Sequence, residues 1–226
     1  MKNQYFGDNK DLFQYDLVLM IMQAGLVERF TFVPMLTKPD VTNHGGKADR
    51  SYARAGTGNK ELVSFLDDCI NEGQKDIEQM VSFFQRYGIE MVMHYGKDAY
   101  FSYRKRQSYF AGIESRLLSK SLILVDPDNG LEVKKPGEKH LLYSEVKELY
   151  GRMDKASTLM VYQYFPRVNR EEYLNQRMQE LKDKVMGDFP VVVFDSEIAF
   201  FFLTKNEALE HRLIEVIGEY SERYSD

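Results

Sequence analysis

Short apolar runs alternate along this chain with stretches whose apolar residues recur at helical spacing. Residues 30–36, 89–95, 122–125 and 158–162 are apolar, partly β-branched or aromatic, and too short for helices. They predict strands buried on both faces of a sheet. Leu12, Tyr15, Leu19 and Met22 place a helix from Asp11 up to Gly25. The same spacing predicts helices over residues 61–72, 75–87, about 101–118, about 144–152 and about 169–186. Val191–Phe194 and residues 199–204, separated by Asp195 to Ile198, predict an antiparallel hairpin. Asn206 can cap a last helix that runs to about Glu222.

Strands alternating with helices predict an α/β fold: one Rossmann-like, mostly parallel sheet with helices on both faces and a C-terminal antiparallel hairpin. The finish of strand, long helix and hairpin is that expected of a class I methyltransferase-like sheet, whose last strand inserts in reverse. No repeat, low-complexity tract or linker divides the chain, so residues 1–226 are expected to form a single domain. Residues 37–59, rich in Gly, Lys, Asp and Asn, predict a long loop able to close over a site.

The apolar run 122–125 leads straight into Asp126, Pro127, Asp128, Asn129 and Gly130. In open α/β sheets ligands bind outside the carboxyl ends of strands, which makes this cluster the expected centre of function. Asp126, Asp128 and Asn129 are the candidate catalytic residues. With Glu132 the two aspartates are also a candidate site for a hard divalent cation, Mg²⁺ or Mn²⁺, which takes oxygen ligands. A plain turn fixed by Asp126 and Asn129, with Gly130 at positive φ, is the competing explanation. A calcium loop is excluded by spacing, because Gly130 falls one place early. Glu132-Val133-Lys134 has the letters of a metal-dependent nuclease but follows the first acid closely, and Asp126 with Asp128 has the spacing of an Asp-x-Asp phosphatase.

Three further groups surround that centre. Asp8, in Tyr5-Phe6-Gly7-Asp8, is expected to fold over the sheet end. Gln163, Tyr164 and Arg167 are expected at the end of the next strand, where a ring can stack on a base and a guanidinium can pair with phosphate. Arg106, with Arg104 and Lys105 among Tyr100, Phe101, Tyr103 and Tyr109, mixes basic and aromatic residues as nucleic-acid surfaces do, while a solvated helix face with its aromatics in the core is the favoured explanation. His44, His94, His140 and His211 have no ligand spacing, and His94 alone, at a strand end, is kept as a candidate.

Tyr5-Phe6-Gly7-Asp8 with Asp11 and Tyr15, then Asp126 to Gly130, then Tyr162 to Arg167, resemble a widespread family of uncharacterised bacterial and phage proteins over nearly the full chain. That resemblance implies no activity. A more distant one is to ribosomal RNA adenine-N6 methyltransferases, in which a strand ends in Asp-Pro-Pro-Tyr. Asp126 and Pro127 match its first two positions, whereas Asp128 and Asn129 replace Pro and Tyr. Thr37-Lys38-Pro39-Asp40 stands where those enzymes hold S-adenosylmethionine with a Gly-rich loop.

Composition narrows the classes. A hydrophobic share of 43% is that of a globular protein, and one cysteine, Cys69, excludes an internal disulfide framework and a cysteine zinc cage. A net charge of -5 excludes a globally basic nucleic-acid binder but leaves a local basic face open. No apolar run approaches the roughly 18 residues of a membrane span and the start lacks a signal-peptide core, which predicts a cytoplasmic protein. The reading points to a nucleotide- or nucleic-acid-directed enzyme, methyltransferase-like with S-adenosylmethionine or a metal-dependent nuclease or phosphohydrolase. An inactive binding or regulatory module in phage-host conflict is the alternative from another class. Substrate and oligomeric state do not follow from the residues.

Overall fold

A computed structural model of the chain describes residues 1–41, 48, 50, 54–95 and 100–224. Its strands are β1 (Arg29–Pro34), β2 (Met91–Met93), β3 (Ser121–Asp126), β4 (Gly130–Leu131), β5 (His140–Leu141), β6 (Thr158–Tyr164), β7 (Val191–Phe194) and β8 (Ile198–Thr204). Its helices are α1 (Asn9–Gln23), α2 (Lys60–Asn71), α3 (Gln79–Gln85), α4 (Arg106–Ala111), α5 (Tyr143–Arg152), α6 (Arg170–Leu181) and α7 (Glu207–Glu222). Six strands form one mostly parallel sheet in the order β2-β1-β3-β6-β8-β7, in which only β8 opposes its neighbours. β4 and β5 form a separate two-stranded ladder beyond the end of β3.

Strand alternation divides the core between the two faces. Phe30, Phe32, Leu122, Leu124, Met160, Tyr162, Phe200 and Phe202 face α1, α2, α3 and α7. Val33, Ile123, Val125, Leu159, Val161, Phe201 and Leu203 face α4, α5 and α6. α1 is buried on almost every side, with α2 and α7 beside it. Its buried polar groups therefore need partners. Gln14 donates to Asp126 at 3.3 Å, and Asp16 accepts from Asn59 and from the Tyr224 hydroxyl, each at 2.9 Å.

Some expected elements differ in extent. The helix over 101–118 divides into a 3₁₀ turn at Tyr103–Lys105, α4, and a second 3₁₀ turn at Ser115–Leu118. The break falls at Gly112, where the backbone leaves the helix so that Ile113 and Leu117 can pack under the sheet. The strand over 89–95 shortens to Met91–Met93, with Glu90 and His94 still bonded to β1 at its two ends, and α3 begins four residues later than the apolar spacing suggests. α6 widens into one π turn, Lys182–Met186, and ends at Gly187 with φ +79°. Most of the loop expected over 37–59, namely 42–47, 49 and 51–53, lies outside the described residues, as does His44. Among the described residues no helix is long and apolar enough to cross a membrane.

Candidate functional site

β1 connects to β2 on one side while the chain returns to β3 on the other, so the order of strands reverses between β1 and β3. Open sheets bind ligands outside such a point. A cavity of about 280 Å³ opens there, lined among others by Asp8, Asp11, Asp126, Asp128, Tyr162 and Tyr164. Strand parity explains the set. Asp126 shares the parity of Leu122 and Leu124, so its carboxyl points toward α1, and Tyr162 and Tyr164 approach the cavity from the same face of β6.

The N-terminus of α1 supplies the opposite wall. Asp8 caps the helix, its Oδ1 accepting from the amides of Lys10 at 2.8 Å and Asp11 at 3.1 Å. Asp11 Oδ2 accepts from the Gly7 amide at 2.8 Å. Burial, with Asp8 close by, holds the Asp11 carboxyl well above the usual carboxylate range. Lys10 Nζ lies 3.8 Å from Asp8 and 5.6 Å from the centre of the Tyr164 ring.

The two central aspartates have opposite environments. Burial pushes Asp126 up to about 6; the Met1 ammonium and the Gln14 hydrogen bond pull it down, and Asp128 and Asp8 add to the rise. Burial also works to raise Asp128, but there it loses. The Met1 ammonium at 2.5 Å, the Thr37 hydroxyl at 2.7 Å and Lys2 at 3.8 Å hold that carboxyl below its ordinary value. Asp126 is thus the group able to take or give a proton near neutrality, and Asp128 is a fixed anion.

Asn129 is exposed on the cavity rim, and its amide donates to the Lys139 carbonyl at 2.9 Å. Gln163 belongs to the other parity and lies under the loop. Its Oε1 accepts from the Leu131 amide at 2.9 Å, and its Nε2 donates to the Asn129 carbonyl, the Tyr164 carbonyl and the Tyr173 hydroxyl. It shapes the site without lining it. Arg167 is exposed beyond β6 and does not line the cavity.

Glu132 also lies apart: its carboxylate accepts from the Tyr143 amide at 2.8 Å, at the start of α5. Among the described residues no three His, Cys, Asp or Glu side chains gather as a metal-binding group, so Asp126, Asp128 and Glu132 are not brought together as one. His94 is buried, with Nε2 2.9 Å from the Tyr109 carbonyl, and it lines a separate cavity beside β2.

Arg106 is a structural group. Its guanidinium forks onto Glu145 at 2.5 and 2.8 Å and reaches the His140 carbonyl at 2.9 Å. This fixes α4 against α5 through a charge-assisted pair whose planar geometry lysine cannot reproduce. Arg106→Lys is expected to lower stability by about 1–3 kcal/mol, read as a fall in the urea midpoint. An unchanged midpoint would show that the fork does not secure the two helices.

Lys2, Lys10, Asp11, Lys139 and Tyr162 complete the cavity and were not singled out as site residues from the sequence. Asp11 had a signal, since an acid three residues after an N-cap shares its helix end. Lys139 had none, because it arrives on a loop. No family model matches this chain, and neither a curated protein nor a solved structure matches it.

Proposed function

We propose that the chain is a nucleotide- or nucleic-acid-directed enzyme on a class I methyltransferase-like, Rossmann-like sheet, with Asp126 as the group that accepts a hydrogen bond and a proton from an amine or hydroxyl of the target. The observation that carries this is the buried Asp126 carboxyl, poised near neutrality at the end of β3, inside a cavity that also presents Tyr162 and Tyr164. A half-exposed tyrosine offers a face for a base to stack on. The strand order supports the fold reading, because β8 runs in reverse between β6 and β7.

The donor side departs from the glycine-loop kind. The Thr37 amide is taken by the Met1 carbonyl at 2.9 Å and Pro39 has no amide to offer, so residues 37–40 are no cradle for S-adenosylmethionine. The reading therefore rests on the proton-handling half, with no step routed through a methyl donor. Of the four aspartates around the cavity, Asp128 is held by cations of the chain itself and Asp8 and Asp11 accept from backbone amides at the start of α1, which leaves a divalent cation little but Asp126.

The test is thermal stability of wild type and Asp126→Asn with adenosine, S-adenosylmethionine and Mg²⁺ in separate titrations. A ligand at one hundred times its dissociation constant stabilises the folded state by about 2.7 kcal/mol. Adenosine is expected to raise the wild-type midpoint and to lose most of that effect in the variant, and S-adenosylmethionine is expected to act no more strongly than adenosine. Equal stabilisation of both proteins would favour a binding module, and a response to Mg²⁺ alone would favour a hydrolase.

A further inference from the structure

The cavity at the end of β3 holds a polar group that the protein itself leaves unused. Tyr162 is 7% exposed and lines that cavity, yet its hydroxyl has no hydrogen-bond partner among the described residues. The next residue, Gln163, also buried, makes four hydrogen bonds. The Tyr162 ring packs edge to face on Phe200, its cross-strand partner on β8, with ring centres 5.9 Å apart. Phenylalanine would meet that packing, as it does at positions 200 and 202 of the same core. A buried hydroxyl without a partner works against folding, so its presence is explained by what enters the cavity.

β3 pairs with β6 from Leu122 opposite Thr158 to Val125 opposite Val161, and that register carried one residue on sets Asp126 beside Tyr162. The two lie on the same face of the sheet, on strands about 4.8 Å apart. Burial, and after it the charges of Asp126, Asp8, Asp11 and Asp128, hold the phenol well above its ordinary value. It stays protonated and is available as a donor, with the Asp126 carboxyl as the acceptor beside it. At about 280 Å³ the cavity is smaller than the roughly 300–1,000 Å³ of pockets that enclose a drug-sized ligand. Its size suits a single base.

We infer that Tyr162 is a specificity-determining residue of this site: its hydroxyl donates to the unprotonated ring nitrogen next to the amine that Asp126 accepts from, so the cavity selects the pairing edge of adenine or cytosine. The inference rests on the proposed function for the amine and on the unpartnered hydroxyl for the ring nitrogen. Adenine and cytosine carry an amine beside an acceptor nitrogen on that edge. Guanine and uracil carry a proton on the corresponding nitrogen, which would set donor against donor at Tyr162 and leave the hydroxyl unpaired.

The experiment measures binding of adenosine, 1-deazaadenosine, 7-deazaadenosine and purine riboside, and of cytidine with 3-deazacytidine, to wild type and Tyr162→Phe. Wild type is expected to hold adenosine about tenfold more tightly than 1-deazaadenosine, or cytidine more tightly than 3-deazacytidine by the same factor. Either nucleoside as the tighter ligand upholds the class. 7-Deazaadenosine keeps the pairing edge and should match adenosine. Tyr162→Phe should lose the preference for the ring nitrogen while holding the deaza compound within about twofold of wild type. Without ligand the variant should melt no lower than wild type, because the ring keeps its packing and no hydrogen bond is lost.

A variant that keeps the wild-type preference would overturn the inference, and so would a wild type that discriminates against 7-deazaadenosine and not 1-deazaadenosine. Purine riboside, which has the ring nitrogen and no amine, separates this inference from the reading beneath it. If it binds as tightly as adenosine and Tyr162→Phe abolishes the preference, the Tyr162 contact stands and the amine at Asp126 falls. If it binds more weakly and wild type shows no preference for the ring nitrogen, Asp126 stands and Tyr162 falls. Binding of none of the nucleosides would overturn both.

Discussion

Asp126→Asn is expected to melt higher than wild type at pH 8, by roughly 6–12 °C, and to lose the ligand response that wild type shows. The folded carboxyl sits at about 6 against an ordinary value of 3.8. A raised folded value means that the folded state holds the proton more tightly than the unfolded one. The associated stability is complete below about pH 4 and is lost as pH rises through about 6. A difference of about two units corresponds to roughly 3 kcal/mol, and a chain of this size shifts by about 2–4 °C per kcal/mol.

Asparagine is neutral at every pH and nearly the same shape, so it removes that cost. The two proteins should converge near pH 4, separate as pH rises from about 4 to about 6 and keep a constant difference above that, as followed by thermal melts across the range. A variant that melts below wild type at pH 8 would mean that Asp126 is a structural acceptor for Gln14, and the site reading would fall with it. A group kept at a cost to stability at neutral pH is more readily explained by chemistry than by folding.

The sheet was legible because its strands are apolar runs bounded by turn residues, and the cavity was legible because Asp126 to Gly130 directly follows one of them. What sequence spacing could not supply was direction. Gln163 and Tyr162 are neighbours, yet strand parity sends one beneath the loop and the other into the cavity. Knowing which face of β6 meets α1 requires the packed sheet. Arg106 is the sharper case. Its basic and aromatic neighbours suggest a binding face, whereas its buried fork onto Glu145 depends on a residue of another helix that no local pattern identifies. Glu132 failed for the opposite reason: closeness in sequence to Asp128 did not become closeness in space, because the ladder of β4 with β5 carries it toward α5. Asp8 lines the cavity because it is the N-cap of α1, a role that the helix expected from Asp11 did not include, and a helix N-terminus over the end of a sheet faces whatever lies there.

Gly130→Ala is expected to cost about 3–5 kcal/mol, the loss expected from combining two mechanisms. Its backbone has φ +103°, where a side chain is strained, and a Cβ there would lie 2.4–2.6 Å from the amide atoms of Gln163. Relief requires Gln163 to move, which breaks its bonds to Leu131, Asn129, Tyr164 and Tyr173 and leaves buried polar groups without partners. Gln163→Ala alone should cost about 2–3 kcal/mol through those same losses. The double variant should be less destabilised than the sum of the two, because the alanine at 163 vacates the space that the new Cβ needs. The remaining cost is the backbone strain at 130. Urea unfolding of the four proteins measures the cycle. Additive costs would show that Gly130 is required for its backbone angle alone, and the Gln163 amide would then have no part in setting the loop that carries Asp128 and Asn129 to the cavity.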